Sequence, residues 1–494
     1  MKLKTVFKNL KANLPKNNPE ICGVSANSRN VKRGYLFFAI KGIHTNGEIY
    51  INDAVKKGAA AIVSQNSKIL KKCKVPTVIV KDIPSVLDVC SHRIYGHPSK
   101  QIKTLAITGT DGKTTVSYLI ESIYKTADKK SAVIGTINYR LGKKIISKAV
   151  NTTPLACDIA DMLSYFKSKK ADLAILETSA HSLSQKRTGS VLFDAAIFTG
   201  LSQDHLDYYK TMDRYFSAKK ILFKMLSDAS NKKSPKYAIL NGDDAKTNQI
   251  KKILSNKVKV VEFGLKPKNK WRAENIKSTL NSTAFNLVCP KGKFKVRLKL
   301  LGDYNVYNAL AALAFADTQN INIKTAVKGV ENLRGIAGRM QSVGKVRRFH
   351  VIVDFAHTPA AVKKTLTLIK SLRPNKIYTV IGCGGDRDRT KRPIMASAVC
   401  KSSDYVFFTA DNPRDENQNR IFADMLKGVK GKHKNYKVIA DRKKAVEQAI
   451  KKARTDDVVL LAGKGHEEGI IIKNKIIPYN DKLTAEKVLR KLKK

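Results

Sequence analysis

No stretch of the 494 residues approaches the roughly 18 consecutive apolar positions that a membrane-crossing helix needs, so no membrane span is expected. The opening residues Met1-Lys2-Leu3-Lys4-Thr5-Val6-Phe7-Lys8 scatter lysines among the apolar ones and lack the unbroken apolar core of a secretory signal. A cytoplasmic protein is the expectation. Cysteine is sparse: seven residues, an odd number, spread over the chain without repeated CxxC pairs, which argues for reduced thiols against a disulfide scaffold or a zinc site. Acidic residues are short as well, 40 Asp and Glu against 94 Lys and Arg, a formal charge of +54. Such an excess raises the question of nucleic acid. The lysines are mostly lone or paired, as in Lys56-Lys57, Lys169-Lys170 and Lys451-Lys452, and no RNP, zinc-finger or helix-turn-helix pattern accompanies them. Charge alone speaks to solubility and non-specific attraction, so no specific nucleic-acid partner is expected.

The length suits about three domains of roughly 150 residues. From Thr104 onward, β-branched runs alternate with helical patterns: Thr104 to Thr108, Leu173 to Leu176, Ala195 to Phe198, Val351 to Val353, Tyr378 to Ile381 and Val458 to Leu461. This alternation predicts an α/β fold of parallel sheets covered by helices. The first hundred residues carry short strands around Tyr35 to Ile40 and Ala59 to Val63 and end near His97-Pro98. A second boundary falls between Leu333 and Arg339, after helical stretches over Tyr304 to Thr318 and Ile323 to Leu333. The expected domains are a small N-terminal α/β domain (1–98), a central parallel sheet with helices (99–333) and a C-terminal Rossmann-like α/β domain (334–494).

The strongest local signal is Thr108-Gly-Thr-Asp-Gly-Lys-Thr-Thr115, between the apolar run Thr104 to Thr108 and a helical pattern beginning at Val116. Gly109 and Gly112 let backbone N–H groups close on phosphate oxygens, the helix N-terminus adds its dipole, Lys113 reaches terminal phosphates and the Thr114 hydroxyl suits magnesium. Gly109, Thr110, Asp111, Gly112, Lys113, Thr114 and Thr115 thus form a candidate nucleotide site, which the resemblance given below makes the ATP site, and the central segment reads as a P-loop mononucleotide-binding domain. The loop is the shorter G-T-x-G-K-T form, because Ile107 stands where a longer P-loop has its first glycine.

That loop resembles the Mur ligase family, and further segments resemble its motifs in order along residues 25 to 467. They are Glu177-Thr-Ser-Ala-His181, Phe198-Thr-Gly-Leu-Ser-Gln-Asp-His-Leu-Asp207, Tyr215-Phe-Ser-Ala-Lys219, Asn305-Val-Tyr-Asn308 and Gly338-Arg-Met340. Asp354-Phe-Ala-His-Thr-Pro359, Gly382-Cys-Gly-Gly-Asp-Arg387, Asp411-Asn-Pro-Arg414 and Gly463-Lys-Gly-His-Glu467 complete the series. The resemblance implies a bacterial, cytoplasmic, ATP-dependent ligase of peptidoglycan precursor synthesis that forms a peptide bond through an acyl phosphate, with two magnesium ions. A monomer acting on small-molecule substrates is expected.

Carried onto this sequence, the resemblance makes Lys113, Glu177, His205 and Lys219 the catalytic set. Thr114, Glu177, His205 and a carbamylated Lys219 (N6-carboxylysine) would hold metal. Glu177 ends an apolar strand, where a carboxylate is costly unless paired, and a shared magnesium would satisfy it; a capping carboxylate is the plainer alternative. His205, between Asp204 and Asp207, would by itself be an ordinary hydrogen-bonded histidine. Lys219 sits on an amphipathic helical pattern (Tyr215, Ala218, Ile221, Leu222) but within a run of other lysines, so by itself it would be read as solvated. Asn305 and Asn308 are assigned to adenine by resemblance, and Arg339 and Asp354 to nucleotide contacts from the last domain. This implies closure about a hinge near Leu333.

Asp411, Asn412, Pro413 and Arg414 carry the specificity signal. By resemblance they line the amino-acid site with Arg387, Gly463 and Glu467, and the arginine points to meso-diaminopimelate over lysine. A guanidinium fork holds the extra carboxylate and opposes a bare ammonium. The other substrate implied is UDP-N-acetylmuramoyl-L-alanyl-D-glutamate, assigned to Ser28 and the Gly42 to Gly47 turn, and to Asn151, Thr152, Thr153, Ser179, Gln185 and Arg187. Asn27 stands where aspartate is common, Gly200 replaces a usual Asn, Ile470 a usual Gln, and the C-terminal F-D-D-R-E segment survives only as Tyr479-Asn-Asp-Lys482. Rival readings are a lysine-adding or folylpolyglutamate-type ligase, a basic P-loop nucleic-acid-binding ATPase supported by charge alone, and a non-catalytic scaffold.

Overall fold

The computed structural model describes residues 1–42, 46–70, 73–228, 232–346 and 349–492. Two compact units divide the chain. The first comprises Met1–Ala273, Leu287–Lys293 and Tyr307–Val330, and the second Glu274–Asn286, Phe294–Val306 and Glu331–Lys494. Among the described residues no helix is long and apolar enough to cross a membrane.

In the first unit the N-terminal strands β1 (Ala12–Asn13), β2 (Gly23–Ser25), β3 (Tyr35–Phe38), β4 (Ala61–Ser64) and β5 (Thr77–Val80) form a sheet of order β1-β5-β4-β3-β2. β2 to β5 are parallel and β1 runs antiparallel at the edge. The helix Ile83–Ile94 is capped by Asp82, whose carboxylate accepts from Ser85 N at 3.1 Å. Its Ile83, Val86, Leu87 and Cys90 join the core of this sheet, and Ala156 and Cys157 of the following segment enter the same core. The small sheet therefore buries part of its apolar surface against the segment that follows, and the two lie in one compact unit.

The larger sheet of this unit contains β6 (Thr104–Thr108), β7 (Ser131–Ile134), β8 (Asn138–Leu141), β9 (Lys144–Lys148), β10 (Leu173–Glu177), β11 (Ala195–Phe198), β12 (Lys236–Asn241) and β13 (Val258–Gly264). Their order is β13-β12-β11-β6-β10-β7-β8-β9. From β13 to β7 the pairing is parallel. Every residue of β6, β7, β10 and β11 is buried, as strands covered on both faces require. β6 lies between β10 and β11, with Glu177 beside Ile107 and Phe198 beside Thr108, so the turns that leave these three strands start at the same level. Ligands of open α/β sheets bind at such carboxyl ends.

The expected all-parallel sheet is modified at its edge: β8 and β9 are antiparallel additions. β9 is exposed throughout and begins and ends in lysine, so it carries none of the burial pattern by which a strand is recognised in sequence. Three more strands, β14 (Trp271–Ser278), β15 (Thr283–Cys289) and β16 (Gly292–Leu298), are divided between the units.

The second unit contains β17 (Gln341–Val346), β18 (Phe349–Asp354), β19 (Ile377–Ile381), β20 (Tyr405–Phe408), β21 (Tyr436–Val438) and β22 (Val458–Ala462), in the order β17-β18-β22-β19-β20-β21. Only β17 is antiparallel. Strand residues alternate between two apolar cores: Ile352, Ile381, Phe408 and Leu460 on one side, Val351, Val380, Phe407 and Leu461 on the other. A separate hairpin, β23 (Gly469–Ile472) and β24 (Lys475–Pro478), follows.

Candidate functional site

The phosphate-type loop leaves β6 at Thr108 and turns through Gly109 (φ 144°) and Gly112 (φ 88°) into the helix Lys113–Thr126. Both glycines are needed twice over. An L side chain is strained at these φ values, and a Cβ at Gly109 would strike the Thr199 hydroxyl while one at Gly112 would strike the Asn308 carboxamide oxygen. Lys113 Nζ donates to the carbonyls of Gly109 at 2.9 Å and Thr110 at 2.8 Å. The segment after β11 braces the loop: Thr110 N donates to Gly200 O at 3.0 Å and Thr199 Oγ1 donates to Asp111 O at 2.6 Å. Gly200 has φ 132°, and a Cβ there would press on Asp244 at 3.2 Å.

Glu177, 1% exposed, ends β10 next to this loop. Its carboxylate accepts from Thr114 Oγ1 at 2.8 Å, Thr136 Oγ1 at 2.7 Å and Ser117 Oγ at 3.0 Å. The cost of burying it is thus offset by hydroxyl donors, two of which, Ser117 and Thr136, stand outside every motif read from the sequence. Thr136 Oγ1 also lies 3.2 Å from Thr152 Oγ1. Thr153 Oγ1 donates to the Glu177 carbonyl at 2.7 Å and accepts from Ser179 N at 3.1 Å. Arg187 donates to Thr153 O at 2.7 Å and, through Nε and Nη2, to Gln185 Oε1 at 3.0 and 2.6 Å, while the Asn151 carbonyl accepts from Tyr139 OH at 2.8 Å.

The N-T-T segment, Ser179, Gln185 and Arg187 therefore gather around the loop and Glu177. Among the described residues no hydrogen bond links Ser28 to this group; its carbonyl accepts from Lys57 Nζ at 3.1 Å. Residues 43–45 of the Gly42 to Gly47 turn lie outside the described residues, and next to it a cavity of about 370 Å³ is lined by Ala39, Lys41, Glu48 and Gln65 among others.

Lys219 corrects the expectation of a solvated face. It is 1% exposed, because its side of the helix Met212–Asp228 is turned onto the phosphate-type loop. Nζ donates to Gly109 O at 2.8 Å and sits 4.4 Å from the centre of the Tyr215 ring. Burial, reinforced by the charge of Lys113, holds its pKa well below the ordinary lysine value, while Asp204 and Asp111 oppose the shift. His205, at φ 54°, precedes the helix Leu206–Tyr209, pairs with Asp204 at 3.3 Å and meets the His181 ring edge-on at 4.8 Å. Among the described residues no group of three or more His, Cys, Asp or Glu forms a ready metal cage. The side-chain oxygens of Thr114, Thr136 and Glu177 are nevertheless the donor type of a hard cation that keeps its waters and bridges to phosphate.

In the second unit Asp354 ends β18 and accepts from Met340 N at 2.8 Å, Ala356 N at 3.1 Å and Thr365 Oγ1 at 3.2 Å. Burial pushes its pKa up, against the pull of these donors and of Arg339. Arg339 lies 5.1 Å from the Phe355 ring centre, and Asn305 Nδ2 donates to Leu301 O at 2.8 Å.

Asp411 and Asn412, both buried, follow β20. Arg414 (φ 54°) donates through Nη1 to Gly385 O at 2.7 Å; burial and then the neighbouring Arg387 lower its pKa. Gly463 (φ 101°) follows β22, and Glu467 Oε2 accepts from Asn412 Nδ2 at 2.8 Å. The hairpin straps this group: Ile471 N donates to Asn412 Oδ1 at 3.0 Å and Arg414 N to Ile471 O at 2.9 Å, with Ile470 paired opposite Ile477. The altered C-terminal segment is anchored in the second unit. Asp481, fully buried, is held by Arg442 at 2.9 and 2.7 Å and by Tyr479 OH at 2.8 Å, and Asn480 caps the helix Asp481–Lys491. Sequence reasoning gave Lys464 no role, although it stands inside the G-K-G-H-E segment; it is fully buried among the acceptors of this site.

Comparison with known proteins agrees over nearly the whole chain. The Mur ligase family catalytic domain matches residues 20–100, the Mur ligase middle domain residues 107–316, and the Mur ligase glutamate ligase domain residues 338–465. A relative from Bacillus cereus, named UDP-N-acetylmuramoyl-L-alanyl-D-glutamate--2,6-diaminopimelate ligase, is 39% identical over 476 residues, 96% of this chain and 95% of the relative. A solved structure of a ligase of that name is 30% identical, with TM-score 0.68 over 100% of this chain and 99% of the other. The MurF ligase from Thermotoga maritima in complex with ADP, 18% identical, shares the fold with TM-score 0.67, covering 95% of this chain and 98% of its own. The three domains, α/β throughout with a large central sheet, are those of this fold. The chain belongs to the Mur ligase family.

Proposed function

We propose that this enzyme uses ATP to join meso-diaminopimelate to UDP-N-acetylmuramoyl-L-alanyl-D-glutamate through an acyl phosphate, a step of peptidoglycan precursor synthesis. The observation that carries the reading is the meeting of Lys113 and the buried Lys219 on one carbonyl, Gly109 O, beside the hydroxyl-ringed carboxylate of Glu177. A glycine-rich turn that opens a helix with lysine at its first position is a built anion site, and a nucleotide phosphate is the anion that such a helix N-terminus accepts. The name of the Bacillus cereus relative supports the choice of substrates.

In this reading residues 109–115 cradle the phosphates of ATP, Lys113 exchanges its carbonyl partners for phosphate oxygens, and Asn305, Asn308, Arg339 and Asp354 contact the nucleotide. Asn151, Thr152, Thr153, Ser179, Gln185 and Arg187 orient the muramoyl peptide, with Ser28 on its uridine end. The D-glutamyl side-chain carboxylate attacks the γ-phosphorus and ADP leaves; the amine then attacks the acyl carbon and phosphate leaves. Arg414 and Arg387 receive the distal carboxylate of diaminopimelate, Asp411, Asn412, Pro413 and Gly463 shape its pocket, and Glu467 accepts its distal ammonium.

Magnesium, two ions by the family resemblance, would be held by Thr114 and Glu177 and by His205 and Lys219. When bound, the ions would neutralise charge on the transferring phosphoryl group. Lys219 suits the second position as a carbamate: an amine with a depressed pKa is available unprotonated to add to carbon dioxide, and the product is an anion. The domain limits 1–98, 99–333 and 334–494, a monomeric state, the bacterial cytoplasm and the lack of a specific nucleic-acid partner belong to the same reading.

The test is phosphate release from ATP and magnesium with the UDP-muramoyl dipeptide and, in turn, meso-diaminopimelate, lysine or no amino acid. Release that requires the dipeptide and prefers diaminopimelate is expected. Equal turnover with lysine would remove the assigned specificity, and stimulation by nucleic acid but not by the dipeptide would overturn the function.

A further inference from the structure

The Lys464 ammonium is surrounded by as many acceptors as it has protons: Asp411 Oδ1 at 3.2 Å, Asn412 Oδ1 at 3.0 Å and Glu467 Oε2 at 2.8 Å. Its side chain is fully buried. Two of these acceptors are tied to each other, because Asn412 Nδ2 donates to the same Glu467 oxygen at 2.8 Å. Ile471 N donates to Asn412 Oδ1 at 3.0 Å. The amide of Asn412 is thereby fixed: flipped, its NH₂ would face the ammonium and the Ile471 N–H. Glu467 Oε2 is taken twice, and no protein donor among the described residues reaches Oε1.

We propose that Lys464 is a positioning and specificity-determining residue for the amine substrate, acting through Glu467 and Asn412; this rests on the function proposed above. It commits one oxygen of Glu467 and leaves the other as the single acceptor for the substrate's distal ammonium. It also supplies the counter-charge that lets the Asp411 and Glu467 carboxylates share one small site. Without it the two anions repel each other, Glu467 loses its fixed rotamer, and Asn412 keeps Ile471 N but loses one of the two donors that orient its oxygen.

The measurement is steady-state kinetics of Lys464→Met with thermal melting as a check on folding. Loss of a hydrogen-bonded charge is expected to raise KM for meso-diaminopimelate about 10- to 100-fold. KM for ATP should stay within about twofold, since the nucleotide contacts are assigned elsewhere. In a Glu467→Gln background the same substitution should change the amine KM by less than about threefold, because the residue through which Lys464 acts is already altered. Lys464→Gln, which keeps donors but loses charge, should show the same split with a smaller rise.

An unchanged amine KM in a folded Lys464→Met or Lys464→Gln protein overturns the proposal, as does full additivity with Glu467→Gln. Equal rises in the KM values of ATP and amine, or loss of folding in both variants, assign the residue to stability alone and overturn it too. Absence of diaminopimelate-dependent phosphate release in the unaltered enzyme is a different outcome, which strikes the proposed function itself.

Discussion

Lys219 in the first unit and Lys464 in the second are buried equally, at 1% and 0% exposure, but in opposite company. The Lys219 amine meets one carbonyl oxygen and the field of another lysine, opposed by Asp204 and Asp111 without a hydrogen-bonded carboxylate, whereas that of Lys464 meets two carboxylates and an amide. A buried cation without a hydrogen-bonded anion is expensive and tends to shed its proton; one enclosed by anions becomes a fixed strut whose removal exposes its partners. On the proposed function, the difference suits the first amine to chemistry and the second to shape.

The widest break in that contrast should come from Lys219→Ala. If the amine is consumed as a carbamate, kcat falls by about 10²- to 10³-fold, as when an electrostatic group is removed from an active site. Intact mass of the active, unaltered enzyme in bicarbonate should show the addition of one carbon dioxide. A free amine in fully active protein would contradict this.

On the side of shape, Arg414→Ala should reduce the preference for diaminopimelate over lysine by about 10- to 100-fold through loss of a charge-assisted pair. Competition between the two amino acids for one enzyme reads that ratio directly, and an unchanged ratio would remove Arg414 from the specificity site. Thr136→Val sharpens the comparison from the anion's side, since it takes one of three hydroxyls from Glu177. A loss of about 1–2 kcal/mol in urea unfolding is expected.

The smallest effect is a pH dependence. Because the folded-state pKa of Lys219 lies below its ordinary value of 10.5, the unfolded chain holds the proton more tightly between the two values, and stability rises with pH across that window. In bicarbonate-free buffer, Lys219→Met should therefore be more stable than the unaltered enzyme at the low end of the window. That advantage should shrink as pH approaches 10.5. A constant difference across the range would show that Lys219 is not desolvated as described.

These two lysines also mark how far the sequence could be read. The phosphate-type loop was legible because a turn from a buried strand into a helix leaves few choices: glycine at φ 144° and 88°, then Lys and Thr at the helix start. The strands at 104–108, 195–198 and 458–461 were legible as apolar runs, all fully buried. The burial of Lys219 was not, since it depends on a loop 110 residues earlier in the chain, and the lysines around it in the run read as a solvated stretch. The role of Lys464 was hidden in the same way, its partners Asp411 and Asn412 lying 53 and 52 residues away. The exposed edge strand β9 and the hairpin β23–β24 escaped because alternating burial, the signal of a half-covered strand, is missing from both.

On the proposed function, the phosphate-type loop and its Lys113 serve a carboxylate attacking the γ-phosphate of ATP. That attack is tested most directly by preparing the dipeptide precursor with heavy oxygen in its D-glutamyl side-chain carboxylate and analysing the phosphate released during turnover. Attack by that carboxylate followed by amine displacement must carry one labelled oxygen into each phosphate. Phosphate free of label, with peptide bond formed at the normal rate, would contradict the acyl-phosphate route.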